Sequence, residues 1–290
     1  MKFNDFKYVR PDYDEIKEKY LSLVKAFSKS KTADEQYSFL KKINALSREI
    51  ETMEQLVYIR NSINTADEFY DGEKDYMDMT SPHFHGLRVE FYKELLNSRF
   101  KEDLKERIHP QLITLAEMEV RTFSDAVVPL MQEENKLVSE YDKLVSSAKI
   151  EYDGKTLNLS QMQPYMESRD RRVRKEAHEK WSGFFKENEA KFDLIYDKLV
   201  KLRHQIATKL GFNSFTELGY LRMGRSDYKS KDVEKFRNHV LNYIVPLSNE
   251  LRERQANRIG VDEFKYYDLP LNFRSGNPAP KGNKEWIMER

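Results

Sequence analysis

Residues 195–228 read IYDKLVKLRHQIATKLGFNSFTELGYLRMGRSDY. In this run Ile195, Leu199, Leu202, Ile206 and Leu210 recur three or four apart, so they form one apolar stripe on a helix that must pack against a neighbour. Gly211 ends it, because glycine alone takes the left-handed position after a helix without a Cβ penalty. Ser214 with Glu217 then has the S-x-x-E spacing of a capping box and predicts a second helix directly after the stop.

Elsewhere in the chain helical spacing dominates. Helices are predicted from Asp12 to Phe27, from Thr32 to Asn61 with Thr32-x-x-Glu35 as a capping box, and from Ser81 to Arg107, where Ser81-Pro82 has the form of N-cap and first helical residue. Pro110 marks a boundary. Gln111 to Ser147 continues in helical register, with a bend or break at Pro129. Lys149 to Leu159 is the one hairpin, since Asp153-Gly154 supplies the positive φ angles of a type I′ turn. Ser160 and Ser168 are read as caps, the second opening a helix that carries Trp181, Phe184 and Phe185. Ser230 to Ile259 is a long helix kinked at Pro246, and Pro270 to Gly282 is a loop. The fold class expected is all-α, with paired long helices and one small β-hairpin near 149–159. Two parts are expected: an amino-terminal helical lobe over 1–120, and a hairpin-plus-helix region over 121–290.

Composition narrows the function. The 290 residues suffice for one large or two ordinary domains. A charged fraction of 34% with a net charge of +1 gives no electrostatic case for nucleic acid or an anionic membrane as partner. Zero cysteines exclude disulfides, thiolate catalysis and cysteine-ligated zinc. The amino terminus MKFNDFKYVRPDYDEIK has no apolar signal region, and no stretch approaches a membrane span, so cytoplasmic residence is the default expectation.

The wording of several segments goes beyond pattern. Arg203-x-x-Ile206-Ala207-x-Lys209-Leu210-Gly211-Phe212, then Gly219-Tyr220 and Arg225-x-Asp227-Tyr228, resembles the oligoendopeptidase F branch of the thimet-type zinc metallopeptidases. Glu133-Glu134-Asn135-x-Leu137, Lys149 to Lys155, and Ser168-Arg169-Asp170-Arg171-x-Val173-Arg174 resemble further landmarks, as do Tyr266 to Pro270 and Gly276 to Gly282. The first 120 residues match only as helical pattern. The resemblance implies an enzyme that hydrolyses short peptides in a deep channel between two helical halves. Its zinc is held by an H-E-x-x-H helix and a later glutamate.

No H-E-x-x-H occurs in this chain. Such a site needs two histidines one turn apart facing one metal, with the intervening glutamate beside the bound water. The nearest approach, His178-Glu179-Lys180-Trp181-Ser182, ends in serine, and His178 is read as an exposed helix residue. His83 and His85 point to roughly opposite sides of a helix at about 100° per residue; in an extended segment they would share a face and form a weak ligand pair. His109, His204 and His239 stand alone. No metal ligand is therefore assigned and no zinc is expected on this chain. The resemblance places zinc in the full-length enzyme, beyond Arg290, where a helix opened by Asn283 runs off the end. The chain is expected to be the amino-terminal part of the peptidase, itself without catalytic residues. It would provide channel wall and substrate contacts, with short peptides and the carboxy-terminal half as partners.

Two clusters offer binding surfaces. Arg169, Arg171, Arg172, Arg174 and Lys175 form a basic run; either they bind phosphate or carboxylate, or they are a solvated helix face with a few ion pairs, which is the expectation here. Tyr266, Tyr267 and Phe273 flank Asp268 and Pro270. Core packing is the commoner use of such side chains, and a peptide groove is the other; the resemblance places them near the active cleft as substrate-binding candidates. The alternatives to a peptidase portion are a non-catalytic helical scaffold or peptide-binding protein, and an adaptor whose helices pack on partner helices.

Overall fold

The computed structural model describes residues 3–289 and is all-α apart from one two-stranded hairpin. The chain divides into two compact units, one of residues 1–143 with 194–232 and one of 144–193 with 233–290.

The first unit starts with three long helices, α1 (Tyr13–Lys29), α2 (Ala33–Ile63) and α3 (Glu68–Leu96). Each begins on a side-chain cap: Asp12 accepts from the Glu15 amide at 2.9 Å, Thr32 from the Glu35 amide at 3.2 Å, and Asp67 from the amides of Phe69 and Tyr70. Tyr20, Phe27, Leu40, Ile43, Phe91 and Leu95 are buried between them, Phe27 meeting Phe91 edge-on at 5.4 Å. The short α4 (Lys101–Lys105) and α5 (Gln111–Val120) close this core with Leu104 and Ile113.

Pro82 does not start a helix. It lies inside α3, where it leaves the Asp78 carbonyl without its amide donor. Asn135 replaces that donor from a neighbouring helix, its Nδ2 reaching the Asp78 carbonyl at 2.8 Å, and Gln132 Nε2 donates to the Met79 carbonyl at 2.7 Å. With both carbonyls satisfied the helix passes through the proline. It ends at Leu96, well short of Arg107.

The helical stretch over 111–147 breaks ahead of Pro129. α5 stops at Val120, a single 3₁₀ turn covers Asp125–Val127, and α6 runs over Val128–Ser146. Pro129 thus sits in the first turn of α6, where its missing amide costs nothing.

The signature segment forms α9 (Glu189–Lys209) and α10 (Phe215–Arg222). Leu202, Ile206 and Ala207 are buried with Val127, Leu137, Phe212 and Leu218, and Leu199 and Leu210 pack on the same cluster. Gly211 has φ +84°; its amide donates to the Thr208 carbonyl at 3.0 Å and the Phe212 amide to Ala207 at 2.9 Å, the paired bonds of a Schellman stop. Ser214 is the N-cap of α10 but its side chain caps nothing. Glu217 is engaged elsewhere, accepting from Arg121 Nη2 at 3.3 Å, so the expected reciprocal box does not form.

The second unit holds the hairpin. β1 (Ile150–Tyr152) pairs antiparallel with β2 (Lys155–Leu157), Ile150 opposite Leu157, across Asp153 at φ 53° and Gly154 at φ 67°. Both turn residues are left-handed, as a type I′ turn requires. Ile150 and Leu157 face Met162, Met166 of α7 (Gln163–Met166) and Ala177 of α8 (Arg171–Glu187). Asn158 and Gln161, not Ser160, exchange the caps before α7; Asp170, not Ser168, caps α8.

The helix predicted over 230–259 is α11 (Ser230–His239), a π turn over Val240–Ile244, and α12 (Val245–Ile259). Pro246 lies just after the wide turn, which accommodates the missing amide without ending the rod. The tail carries α13 (Lys284–Met288), whose N-cap Asn283 accepts from the Trp286 amide at 2.9 Å; Arg290 lies outside the described residues.

Candidate functional site

The aromatic candidates stand on a short turn whose position is fixed from beneath. Tyr266–Asp268 is a single 3₁₀ turn, and Asp268 points inward with no exposed surface. Its Oδ1 accepts from Arg174 Nη2 at 2.7 Å and its Oδ2 from Arg171 Nη2 at 2.8 Å, with the Lys265 amide adding a bond to Oδ2 at 3.0 Å. Arg174 is 1% exposed and completes its donors on the backbone carbonyls of Ser168, Arg169 and Tyr267. Burial alone would raise the Asp268 carboxyl, but the guanidinium bonds from Arg171 and Arg174 outweigh it and hold the group below the usual carboxylate range.

Arg169, Arg171, Arg172 and Lys175 are exposed, as a solvated face with a few ion pairs requires, and Arg174 is the exception. One side of α8 carries a fully buried arginine whose charge is matched by a carboxylate 94 residues away. Arg174 departs from the surface reading because Arg174, Ala177 and Trp181 share one helical stripe: a charge in an apolar row signals a buried partner. That spacing was present in the sequence.

On this base the rings divide in use. Tyr266 is 54% exposed, edge-on to Tyr267 at 5.1 Å and to His178 at 5.7 Å. Tyr267 is half-buried beneath the Arg171 guanidinium, 5.2 Å from its centroid. Phe273 is 41% exposed, with the Arg258 guanidinium 4.9 Å from its centroid. Core packing, the commoner use, does not describe Tyr266 or Phe273; each keeps a face open. The loop between them is held by Gln255, whose Nε2 donates to the carbonyls of Leu269 and Leu271, and by Asn277, whose Nδ2 donates to Pro270 at 2.7 Å. Open apolar rings with polar edges on a braced loop can contact an extended peptide.

His178 is not the exposed residue expected. It is half-buried against Tyr266, its Nε2 has no hydrogen-bond partner, and burial with the nearby Arg174 charge lowers its pKa. Ser182, at the position of the missing second histidine, donates to the His178 carbonyl at 2.8 Å. Among the described residues no group of three or more histidine, cysteine, aspartate or glutamate side chains is placed to hold a metal ion. The zinc that the resemblance implies thus finds no ligand set here. His83 and His85 both lie within α3, the first beside Gln132 and the second against Glu119.

A second charge cluster, in the first unit, centres on the buried Glu134. Glu134 accepts from Arg203 Nε at 2.7 Å and from Arg222 Nη1 at 2.8 Å, pinning α6 to α9 and α10. Among the described residues no helix is long and apolar enough to cross a membrane.

Comparison with known proteins gives the same assignment. Residues 3–123 match the peptidase M3 N-terminal domain and residues 164–275 match peptidase family M3. No curated protein matches the chain. Among solved structures, PZ peptidase A, determined with an inhibitor, is similar at 48% identity and TM-score 0.96, over 99% of this chain and 51% of its own. A protein assigned as an oligoendopeptidase F from Bacillus anthracis str. Ames is similar at 45% identity and TM-score 0.95, over 100% of this chain and 53% of its own. An oligoendopeptidase F from Enterococcus faecium, at 17% identity and TM-score 0.63, shares the fold. The chain spans about half the length of the first two relatives. It belongs to peptidase family M3, on the oligoendopeptidase F side of that family.

Proposed function

We propose that this chain is the amino-terminal portion of a zinc metalloendopeptidase that hydrolyses short peptides, and that it contributes channel wall and substrate contacts while the zinc site belongs to the remaining portion. The observation that carries the reading is the near-complete superposition on solved M3 enzymes over only half their length, starting with the domain that begins the family. Tyr266, Tyr267 and Phe273 are the proposed substrate contacts. Their exposed ring faces offer apolar area, and the Asp268 brace keeps them in place without a bound peptide, so less conformational entropy is lost on binding. Zinc in the remaining portion would supply the Lewis acid and the activated water. The working location is the cytoplasm.

The test is to co-express the chain with the portion of PZ peptidase A that it does not cover, and to assay a quenched fluorescent oligopeptide. Cleavage abolished by a metal chelator, with KM raised several-fold by Tyr266→Ala or Phe273→Ala, supports the reading. An assembled pair that cleaves nothing would favour the non-catalytic scaffold.

A further inference from the structure

The helix from Ser230 to Ile259 is built for burial and receives almost none. α11 and the π turn bury no residue, and α12 buries only Gln255 and Ile259 in its last two turns. Yet Phe236, Leu241, Tyr243, Ile244, Leu247 and Leu251 are each between 50% and 70% exposed. A soluble helix with large apolar side chains recurring every three or four residues owes its stability to a partner surface. Such side chains together present on the order of several hundred Å² of apolar area, the size at which an exposed patch marks an interaction site.

The aromatic candidates Tyr266, Tyr267 and Phe273 differ in kind. Tyr266, Tyr267 and Phe273 are each covered on one side by His178, Arg171 or Arg258. Among the described residues the stripe of the long helix has one ring contact, Tyr243 with His239 of the same helix at 6.1 Å. The helix is anchored at its far end, where Gln255 holds the Leu269 and Leu271 carbonyls, Arg258 Nε donates to the Asn272 carbonyl at 2.6 Å and Arg274 Nε to the Ile259 carbonyl at 3.1 Å.

We infer that the exposed stripe of Phe236 to Leu251 is the principal docking surface for the remaining half of the M3 enzyme, and that the occupant is an apolar helical face of that half. The inference rests on the peptidase reading above. Two observations choose this occupant: the matched relatives carry about as much chain again as is present here, and acidic and basic residues are mixed around the stripe, as in Glu234-Lys235 and Glu250-Leu251-Arg252-Glu253. A helix lying on an anionic membrane instead needs a strongly basic polar face.

The experiment is capture of the uncovered portion of PZ peptidase A, co-expressed with the tagged chain as wild type, as Leu247→Glu with Leu251→Glu, and as Tyr266→Ser with Phe273→Ser. Both stripe positions are half exposed. Their substitution should leave the circular dichroism and unfolding midpoint of the isolated chain unchanged, while an unpaired carboxylate in an apolar interface is strongly disfavoured. Capture by wild type and by the aromatic variant, with at least tenfold weaker capture by the stripe variant, is the expected result. Equal capture by the stripe variant overturns the inference and leaves the peptidase reading standing. No capture by the wild type overturns both. A wild-type chain that dimerises by itself through the stripe, with the stripe variant monomeric and capture unaffected, assigns the surface to a second copy and overturns the inference.

Discussion

Asp268→Asn should cost the second unit far more stability than a surface charge would. The substitution keeps the shape of the side chain but removes the charge that faces Arg174, which is 1% exposed and, among the described residues, pairs with no other carboxylate. Breaking a buried pair from one side costs about 3–5 kcal/mol, mostly for the charge left behind. With a urea m-value on the order of 2 kcal/mol/M, that lowers the midpoint by roughly 2 M. Both tryptophans, Trp181 and Trp286, lie in the second unit, so selectively excited tryptophan emission reports that unit. The same carboxylate sets a pH signature. Its folded pKa is lowered, so its contribution is present above the unfolded value near 3.9 and disappears as the pH falls through the lower, folded value. The wild-type midpoint should therefore drop on acidification below about pH 4 more than that of Asp268→Asn. Pairing Asp268→Asn with Arg174→Met should recover part of the loss, since an apolar replacement leaves no orphan charge. A midpoint shift worth less than about 1 kcal/mol, the worth of an exposed ion pair, would refute the reasoning.

Two further outcomes are expected in the first unit. Leu202→Ala should destabilise it by about 2–5 kcal/mol, measured by thermal or urea unfolding followed by circular dichroism, because Leu202 is buried among Val127, Leu137 and Leu218. Asn135→Ala should cost about 1–3 kcal/mol in the same assay by stranding the Asp78 carbonyl that Pro82 leaves without a donor, whereas Pro82→Ala together with Asn135→Ala should cost less than Asn135→Ala alone.

What could be read from the sequence follows the range of the interactions concerned. The stripe from Leu199 to Leu210, the stop at Gly211 and the turn at Asp153-Gly154 depend on residues within a few positions of one another, and each stands where local chemistry puts it. Pro82 misled because the donor that rescues its helix comes from Asn135, on another element. Ser214 and Glu217 have capping spacing, but a long-range arginine takes the glutamate. The brace under the aromatic turn joins α8 to a segment more than ninety positions later, so only the misplaced charge of Arg174 in an apolar row hinted at it. The exposed helix of residues 230–259 was predicted as a helix from its spacing. Its lack of cover depends on what surrounds it, which spacing does not encode.

The central claim is that this chain is a portion of an M3 peptidase whose metal site lies in the portion it does not cover. Its most direct test is the zinc content, by elemental analysis, of the purified chain and of the same chain co-purified with the uncovered portion of PZ peptidase A. The chain alone should carry no more than background zinc, and the assembled pair close to one zinc, as expected of a tight catalytic site. One tightly held zinc per isolated chain, removed only by a chelator, would contradict it.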